Sequence, residues 1–535
     1  MRLLRINDIN VDIDDQTAIG IDFQSYDIKN PGKRYVNISN TFTIPLTANN
    51  RAIFGNAEDP QSLSTKVYED AICSYWVDNQ QLIDNARCRV DSIQDRISLF
   101  IFQKDDIWDQ LKDVLWGDFI TDFVDWGENV KNWTGVGISN ALGSLMLFLN
   151  NFRSTTEGII LPMYQSNLYQ YDPTGAGTVE TIGNMALEWY DNAADGTASG
   201  GHFCIYVKSI FEFIEYTYDV NFLTSGGVAD GNIWDDPIAT ALYVPARDLE
   251  CNVVGNPASS AFINKRSMPT NFLPHKNLFD KADKTLYDFV NAFFQHLNII
   301  IDRLYISGEY VFRLARFDDM ETDADVVDWS GLISGTPTFK PLIDGITQEN
   351  IIKFKEIYPE GDSLLNSKTL TCGNTNIDYT QDFFEIDAYV NSVLDINPPA
   401  LEYVPDLSNQ ESFRTFSFFL SNGYTTNLIS VNIKTNTYGF ENYNALTYQI
   451  AELYDLDSEY NFFDDIIENP KVYEINKWIK LSDMNNFEFF KQYFIKELNG
   501  SFFINKISGF NPDKSKDPTT IELIKLSDRT PDTGI

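Results

Sequence analysis

The sequence predicts a mainly β, multidomain α+β protein with short helices, and three observations carry that reading. Aromatic residues make up 14% of the chain, with 39 Phe and 27 Tyr, a composition that suits half-buried pleated surfaces better than long helices. Runs with a period of two recur near both ends of the chain. Two or three helical stripes of about three turns are each followed by an apolar, β-branched run, so the period changes within a few residues. A length of 535 residues with 43% hydrophobic content suits several cores rather than one. The pattern divides into an N-terminal β segment at 1–115, a loop-rich insertion or small domain at 116–201, a helix–hairpin α+β segment at 202–340 and a β-rich segment at 341–535.

In the first segment Leu3 to Ile13 alternates loosely, and Ala18 to Tyr26 alternates more strictly. Asn30-Pro31-Gly32 is a turn signal. Phe42 and Ile44 alternate with Thr41 and Thr43, and Pro45, which has no N–H to give, ends that ladder. Cys88 to Gln103 reads as strand, turn and strand. These features make residues 1–104 look all-β. At 105–119 Ile107, Leu111, Val114 and Leu115 line one face of a short helix. The pattern loosens from Trp116 onward.

The second helical stripe is Val207, Ile210, Phe211, Ile214 and Tyr218, followed by a strand-like Val220 to Leu223. Glycines and prolines then punctuate 224–273 too often for a long regular element. The best-defined unit runs from Lys281 to Phe317. Asp283 is placed to cap a helix whose Leu286, Phe289, Val290, Phe293 and Leu297 form one apolar stripe, so Phe289 and Phe293 are expected to be buried. Asn298 closes the helix. Ile299 to Ile306 and Glu309 to Ala315 then form a hairpin about Ser307-Gly308.

The last segment is strand-like from Phe339 to Val390, with a turn at Gly361-Asp362, and Asn397-Pro398-Pro399 breaks it. Ser412 to Leu420 and Asn427 to Thr435 read as strands. Residues 453–470 read as more β structure with an exposed acidic loop. Val472 to Leu526 closes the chain as strands, with Asn499-Gly500 turning a hairpin.

Charge and chemistry narrow the function. Asp and Glu outnumber Lys and Arg by 77 to 40, a net charge of −37, so a general affinity for phosphate backbones is not expected. Cys73, Cys88, Cys204, Cys251 and Cys372 are odd in number and widely spaced, which suits buried thiols in a reducing compartment. Acids begin at Asp8, before any apolar run, so the start does not read as a signal peptide, and no stretch is long enough to span a membrane. Synthesis in the cytoplasm is the expectation.

Gly137-Ile138-Ser139-Asn140-Ala141 approximates a nucleophile elbow, but only His202, His275 and His296 exist to serve it, and an ordinary turn is the better reading. Asp455 to Glu459 resembles half a calcium loop, with Tyr460 where glycine belongs and Ile466 where the bidentate Glu belongs. The sequence holds no Walker loop, no dinucleotide fingerprint and no HExxH. No catalytic residue, cofactor or metal is expected, and the chain reads as a non-enzyme.

One motif resembles a known family. Ser39, Thr41, Phe42, Ile44 and Pro45, followed by Thr47 and Asn50, spell S-x-T-F-x-I-P and T-x-x-N, which is similar to the opening of a family of bacteriophage tail structural proteins. The helix–hairpin bearing Leu286, Phe289, Phe293 and Leu297 resembles a unit in the central hub of phage baseplates and tail tips. The stretches 345–359 and 501–526 resemble β-rich segments of the same proteins. The resemblance implies barrel-like, tail-tube-type β domains in a homotrimeric ring of the virion tail, between the tail tube protein and a spike or fibre. It also implies that DNA transits the lumen without specific binding. On that reading the Thr41–Ile44 strand lies at a subunit boundary, and part of the acid surplus lines the lumen. A receptor- or glycan-binding tail protein and a polysaccharide-degrading tail enzyme are the alternatives. Residues 116–201 have no counterpart in the resemblance.

Overall fold

A computed structural model describes residues 2–24, 38–39, 41–102, 106–130, 197–252 except 228 and 230, and 284–340 except 307–308 and 323–324. It also describes 346–391 except 359–366 and 375, 460–527 except 486 and 513–516, and short strands between 159 and 192, at 272–274 and between 419 and 446. The described residues are mainly β, with few and short helices.

The N-terminal strands are β1 (Arg2–Ile6), β2 (Ile9–Asn10), β3 (Ile21–Phe23), β4 (Ile38–Ser39), β5 (Phe42–Pro45), β6 (Ala71–Val77), β7 (Gln80–Ile93) and β8 (Arg96–Phe102). Their alternation puts Leu4, Ile6, Phe42, Ile44, Tyr75, Ile97, Leu99 and Ile101 into one core. Asn7 and Asp8 between β1 and β2, and Asp78 and Asn79 between β6 and β7, all have positive φ. Two such residues in succession give a tight hairpin the twist its strands need, and Asn and Asp tolerate that region best after glycine. The segment is not all-β, however. Helix α1 (Ala48–Ile53) interrupts it, because Thr47 caps the chain as it leaves β5.

The C-terminal strands are β9 (Ile333–Lys340), β10 (Val472–Lys477), β11 (Gln492–Ile495), β12 (Gly500–Phe510) and β13 (Thr519–Ser527). Asn499 adopts φ 47° at the turn into β12, as its place before Gly500 suggests. Ile475, Ile495, Phe502, Ile504, Ile507, Ile521 and Leu523 form a second core. The two strand groups are one sheet. Strand β3 pairs antiparallel with β12, Ile21 facing Phe510 and Phe23 facing Ile507. With the short strand Val326–Asp328, which pairs parallel with β11, the two groups make a 14-stranded sheet whose main path is β9-β10-β13-β12-β3-β4-β8-β7-β6-β1-β2. That path ends at β9 and β2, so the expected barrel is not closed among the described residues.

The helices share a third core. They are α2 (Asp106–Asp113), α3 (Trp116–Asn129), α4 (Val207–Tyr218) and α5 (Leu286–His296). Phe211 and Phe293 meet at 5.5 Å, and Trp116 and Phe289 at 4.9 Å. Over 116–129 the chain is helical where the sequence suggested loops. Trp116, Phe119, Phe123 and Trp126 recur every three or four residues and pack inward, with Phe119 5.3 Å and Trp126 5.1 Å from Phe213. The intervening Gly117, Asp118, Asp122 and Asp125 masked that stripe.

Two further expectations are corrected. Ile107 and Leu111 are buried on α2, but the helix ends at Asp113 and Leu115 is 42% exposed. Leu115 instead stands extended before α3 and bridges Thr285. Residues 220–223 are not a strand. The Glu215 carboxylate accepts the N–H groups of Phe222 at 2.5 Å and Thr224 at 3.3 Å, while Asp219 and Leu223 adopt positive φ. A side chain supplies the acceptor that a neighbouring strand would have given.

Strands Ile299–Ile306 and Glu309–Arg316 pair antiparallel from Ile299↔Arg316 to Ile306↔Glu309, as expected. Ser307-Gly308 lies outside the described residues. Strands Glu349–Tyr358, Ser367–Thr371 and Thr380–Asn391 make a separate sheet that packs on α5. Gly361-Asp362, Asn397-Pro398-Pro399 and most of 412–435 lie outside the described residues. Residues 453–459 lie outside the described residues, but within the rest of that stretch the expected β structure is corrected to helix α6 (Asn461–Glu468), because Phe462, Phe463, Ile466 and Ile467 fall on one buried face.

Candidate functional site

The motif S-x-T-F-x-I-P with T-x-x-N forms a clasp in which each named residue except Thr41 has a structural task. Ser39 Oγ accepts the Ile101 N–H at 2.7 Å. Phe42 and Ile44 face Leu99 and Ile97 across the ladder and are buried by their own chain, so a neighbouring subunit is not required to cover them. Thr41 is exposed. Pro45 ends the strand opposite Arg96, as its missing N–H demands. Thr47 Oγ1 accepts the Asn50 N–H at 3.1 Å, capping α1, and donates to Asp12 Oδ2 at 2.5 Å.

Asn50 completes the clasp from a fully buried position. Its Nδ2 donates to the carbonyls of Pro45 and Asp12, each at 2.8 Å, and its Oδ1 accepts the Asp12 N–H at 2.9 Å. Beside it, Arg96 grips both oxygens of Asp14 at 2.7 and 2.8 Å and reaches Thr43 Oγ1 at 2.9 Å. The guanidinium of Arg96, foremost, holds the Asp14 carboxyl well below the usual range. The clasp thus fastens the 12–17 loop to β5 and β8. Asn50→Leu strands the carbonyl and the N–H of Asp12, each worth about 1–3 kcal/mol when buried without a partner, while the Pro45 carbonyl keeps the Thr47 N–H at 3.0 Å. Chemical denaturation should show a loss of about 2–4 kcal/mol, against about 0.5 kcal/mol or less for Thr41→Ala. Equal effects for the two variants would refute the clasp.

The helix–hairpin residues Leu286, Phe289, Phe293 and Leu297 are all buried. The cap is Thr285 rather than Asp283, which lies outside the described residues. Thr285 Oγ1 accepts the Asp288 N–H at 3.2 Å while Asp288 Oδ2 accepts the Thr285 N–H at 2.8 Å, a reciprocal capping box. The same turn is stitched to the α2–α3 junction, Leu286 N–H to the Val114 carbonyl and Trp116 N–H to the Lys284 carbonyl, each at 2.9 Å.

The hairpin in turn carries a buried ionic joint that the sequence reading missed. Asp302 and Arg313 are each 2% exposed and bond to one another. Asp302 also accepts the N–H groups of Phe489 at 3.0 Å and Phe490 at 2.9 Å. Arg313 reaches Glu488 at 3.0 Å and lies 5.0 Å over the Phe490 ring. Gly231 closes the far side with φ +67°. A Cβ there would stand 2.3 Å from that ring, so a side chain is excluded. The one local signal was Asp302 itself, a charge at an inward position of an apolar strand. Its partners at 488–490 are too distant in sequence to find.

These residues bind, cap and clamp the chain itself. Among the described residues no group of His, Cys, Asp and Glu is arranged to hold a metal ion. Cys73, Cys88 and Cys372 are free and buried. His296 is fully buried, and burial, aided by the charge of Arg316, lowers it to about 4. Residues 137–141 and 455–459, the elbow-like and calcium-like stretches, lie outside the described residues. No described helix is long and apolar enough to cross a membrane.

No protein-family model matches the chain, and no curated protein matches it. Solved structures with a similar chain trace include the 43 kDa tail protein of prophage MuSo2 from Shewanella oneidensis, with a TM-score of 0.33, 8% identity and 98% of each chain covered. A tail protein from Neisseria meningitidis MC58 aligns with a TM-score of 0.32 and 8% identity over 98% of this chain and 96% of its own. Scores of this size do not establish a common topology.

Proposed function

We propose that this chain is a structural subunit of a bacteriophage tail, and more specifically a homotrimeric hub ring at the distal tail. In that role it joins the tail tube to a spike or fibre and carries no catalysis. The observation that carries the reading is the pairing of β3 with β12. These strands belong to the two terminal stretches, 19–55 and 501–526, that separately resemble tail proteins, and in the fold they are neighbours. The clasp from Ser39 to Asn50 supports it, since the resembling residues other than Thr41 act as one unit. The acid surplus suits a wall along which phosphates slide, part of it facing the lumen and the rest the exterior.

Light scattering on the purified full-length chain, with negative-stain imaging, tests the assembly. Closed rings of three copies with a central opening are the expected result. A monomer that stays monomeric at tens of micromolar, alone and with tail-tube subunits, would overturn the hub assignment. A structure of the ring tests the rest: more acidic charge per unit area on the lumen than outside, and β5 beside a neighbouring copy.

A further inference from the structure

Helix α6 begins at Asn461 without a cap of its own. The N-cap position is Tyr460, whose side chain makes no capping bond and whose hydroxyl is turned away to the Gln295 carbonyl. The missing acceptor comes from 144 residues earlier, where Asp318 Oδ2 accepts the Phe462 N–H at 3.0 Å. Asp318 follows Phe317, and the Phe317 ring lies 6.0 Å from Phe462 and 5.6 Å from Phe463, so helix and carboxyl are seated together. The other oxygen of Asp318 is buried and has no hydrogen-bond partner.

We propose that this borrowed cap is a pH-operated latch, in which α6 is held most firmly to the body when Asp318 is protonated and is loosened as that carboxyl ionises. The surrounding charges are otherwise engaged. Arg316 is paired with Asp236 at 3.0 Å, and Asp464 on the helix is paired with Lys368 at 3.2 Å. Burial and the charge of Arg316 hold His296 down at about 4, and Asp319 adds a like charge. No full counter-charge therefore meets Asp318. Burial, only partly offset by the Phe462 N–H, by Arg316 and by the Asn461 N–H, raises it to about 6.

The sign follows from linkage. An acid whose folded value is raised contributes stability fully below its unfolded value near 4, and loses it as pH rises through about 6. A docked and an undocked value about two units apart make the seat up to about a hundredfold weaker at neutral pH than in acid. The latch is independent of the tail assignment.

Hydrogen exchange on the full-length chain tests it. Between pH 4 and pH 6.5, protection of the α6 amides, corrected for intrinsic rates, should fall ten- to a hundredfold in the wild type. It should stay flat in Asp318→Asn, which keeps an acceptor and cannot ionise. Parallel pH dependence in the two proteins would overturn the latch. If Asp318→Asn does not fold, the wild type alone decides: α6 must lose protection with pH while strand β8 does not, and equal loss in both would overturn it too.

Discussion

Phe293→Ala should lower the stability of the helical core by about 3–5 kcal/mol, the cost of emptying a fully buried aromatic site. Phe293 is wholly enclosed, with Phe211 at 5.5 Å, Trp234 stacked at 6.0 Å and Phe294 at 6.1 Å. The rings about it come from α4, from α5 itself and from the 3-10 turn Ile233–Asp235. Truncation thus leaves a cavity that no single side chain can refill. Urea denaturation compares the variant with Tyr216→Ala, whose side chain is 61% exposed on α4. That control should change by well under 1 kcal/mol. An unchanged midpoint for Phe293→Ala would mean that α5 is not the element on which the helices pack.

The ionic joint gives the second large effect. Asp302→Ala should cost about 3–5 kcal/mol, because Arg313 is left charged and buried without the carboxylate of Asp302. The N–H groups of Phe489 and Phe490 also lose their acceptor. Replacing both partners, Asp302→Leu with Arg313→Met, should recover a good part of that loss, since the uncompensated charge is gone. A double-mutant cycle measures the coupling. Additive single effects would show that the two side chains stabilise the fold separately rather than as a pair.

The sequence made the periodic elements legible and left the joints between them hidden. The α5 stripe, the hairpin after it and the β7–β8 pair could be read because each is decided within a dozen residues. The α3 and α6 stripes were also local, but alternating acids and glycines obscured the first and a dense acidic context the second. Neither the borrowed cap at Asp318 nor the anchoring of Asp302 at 488–490 has a local signature. The displaced cap at α5 has a simpler cause: Thr285 with Asp288 closes a reciprocal pair, and a lone acid two residues earlier does not compete with that. In the motif at 39–50, the family resemblance picked out the residues, whereas the target of Asn50, the backbone at Asp12, emerges only in three dimensions.

The pairing of β3 with β12 sets the order in which the chain can mature. Asp22 on β3 accepts the Gly509 N–H on β12, a contact that spans 487 residues. A ribosome adding about 5–20 residues per second needs roughly 25–100 s between making the first of these strands and the second. Throughout that interval one side of β3 has nothing to pair with. The N-terminal strands can collapse early on their own core, yet the continuous sheet forms only once the last strands have emerged. Such long-range closure is slow, and it comes late by necessity. It also acts as a length check: a copy cut short before residue 500 lacks β12 and β13 and keeps an open edge at β3, so only chains that reach those strands complete the sheet.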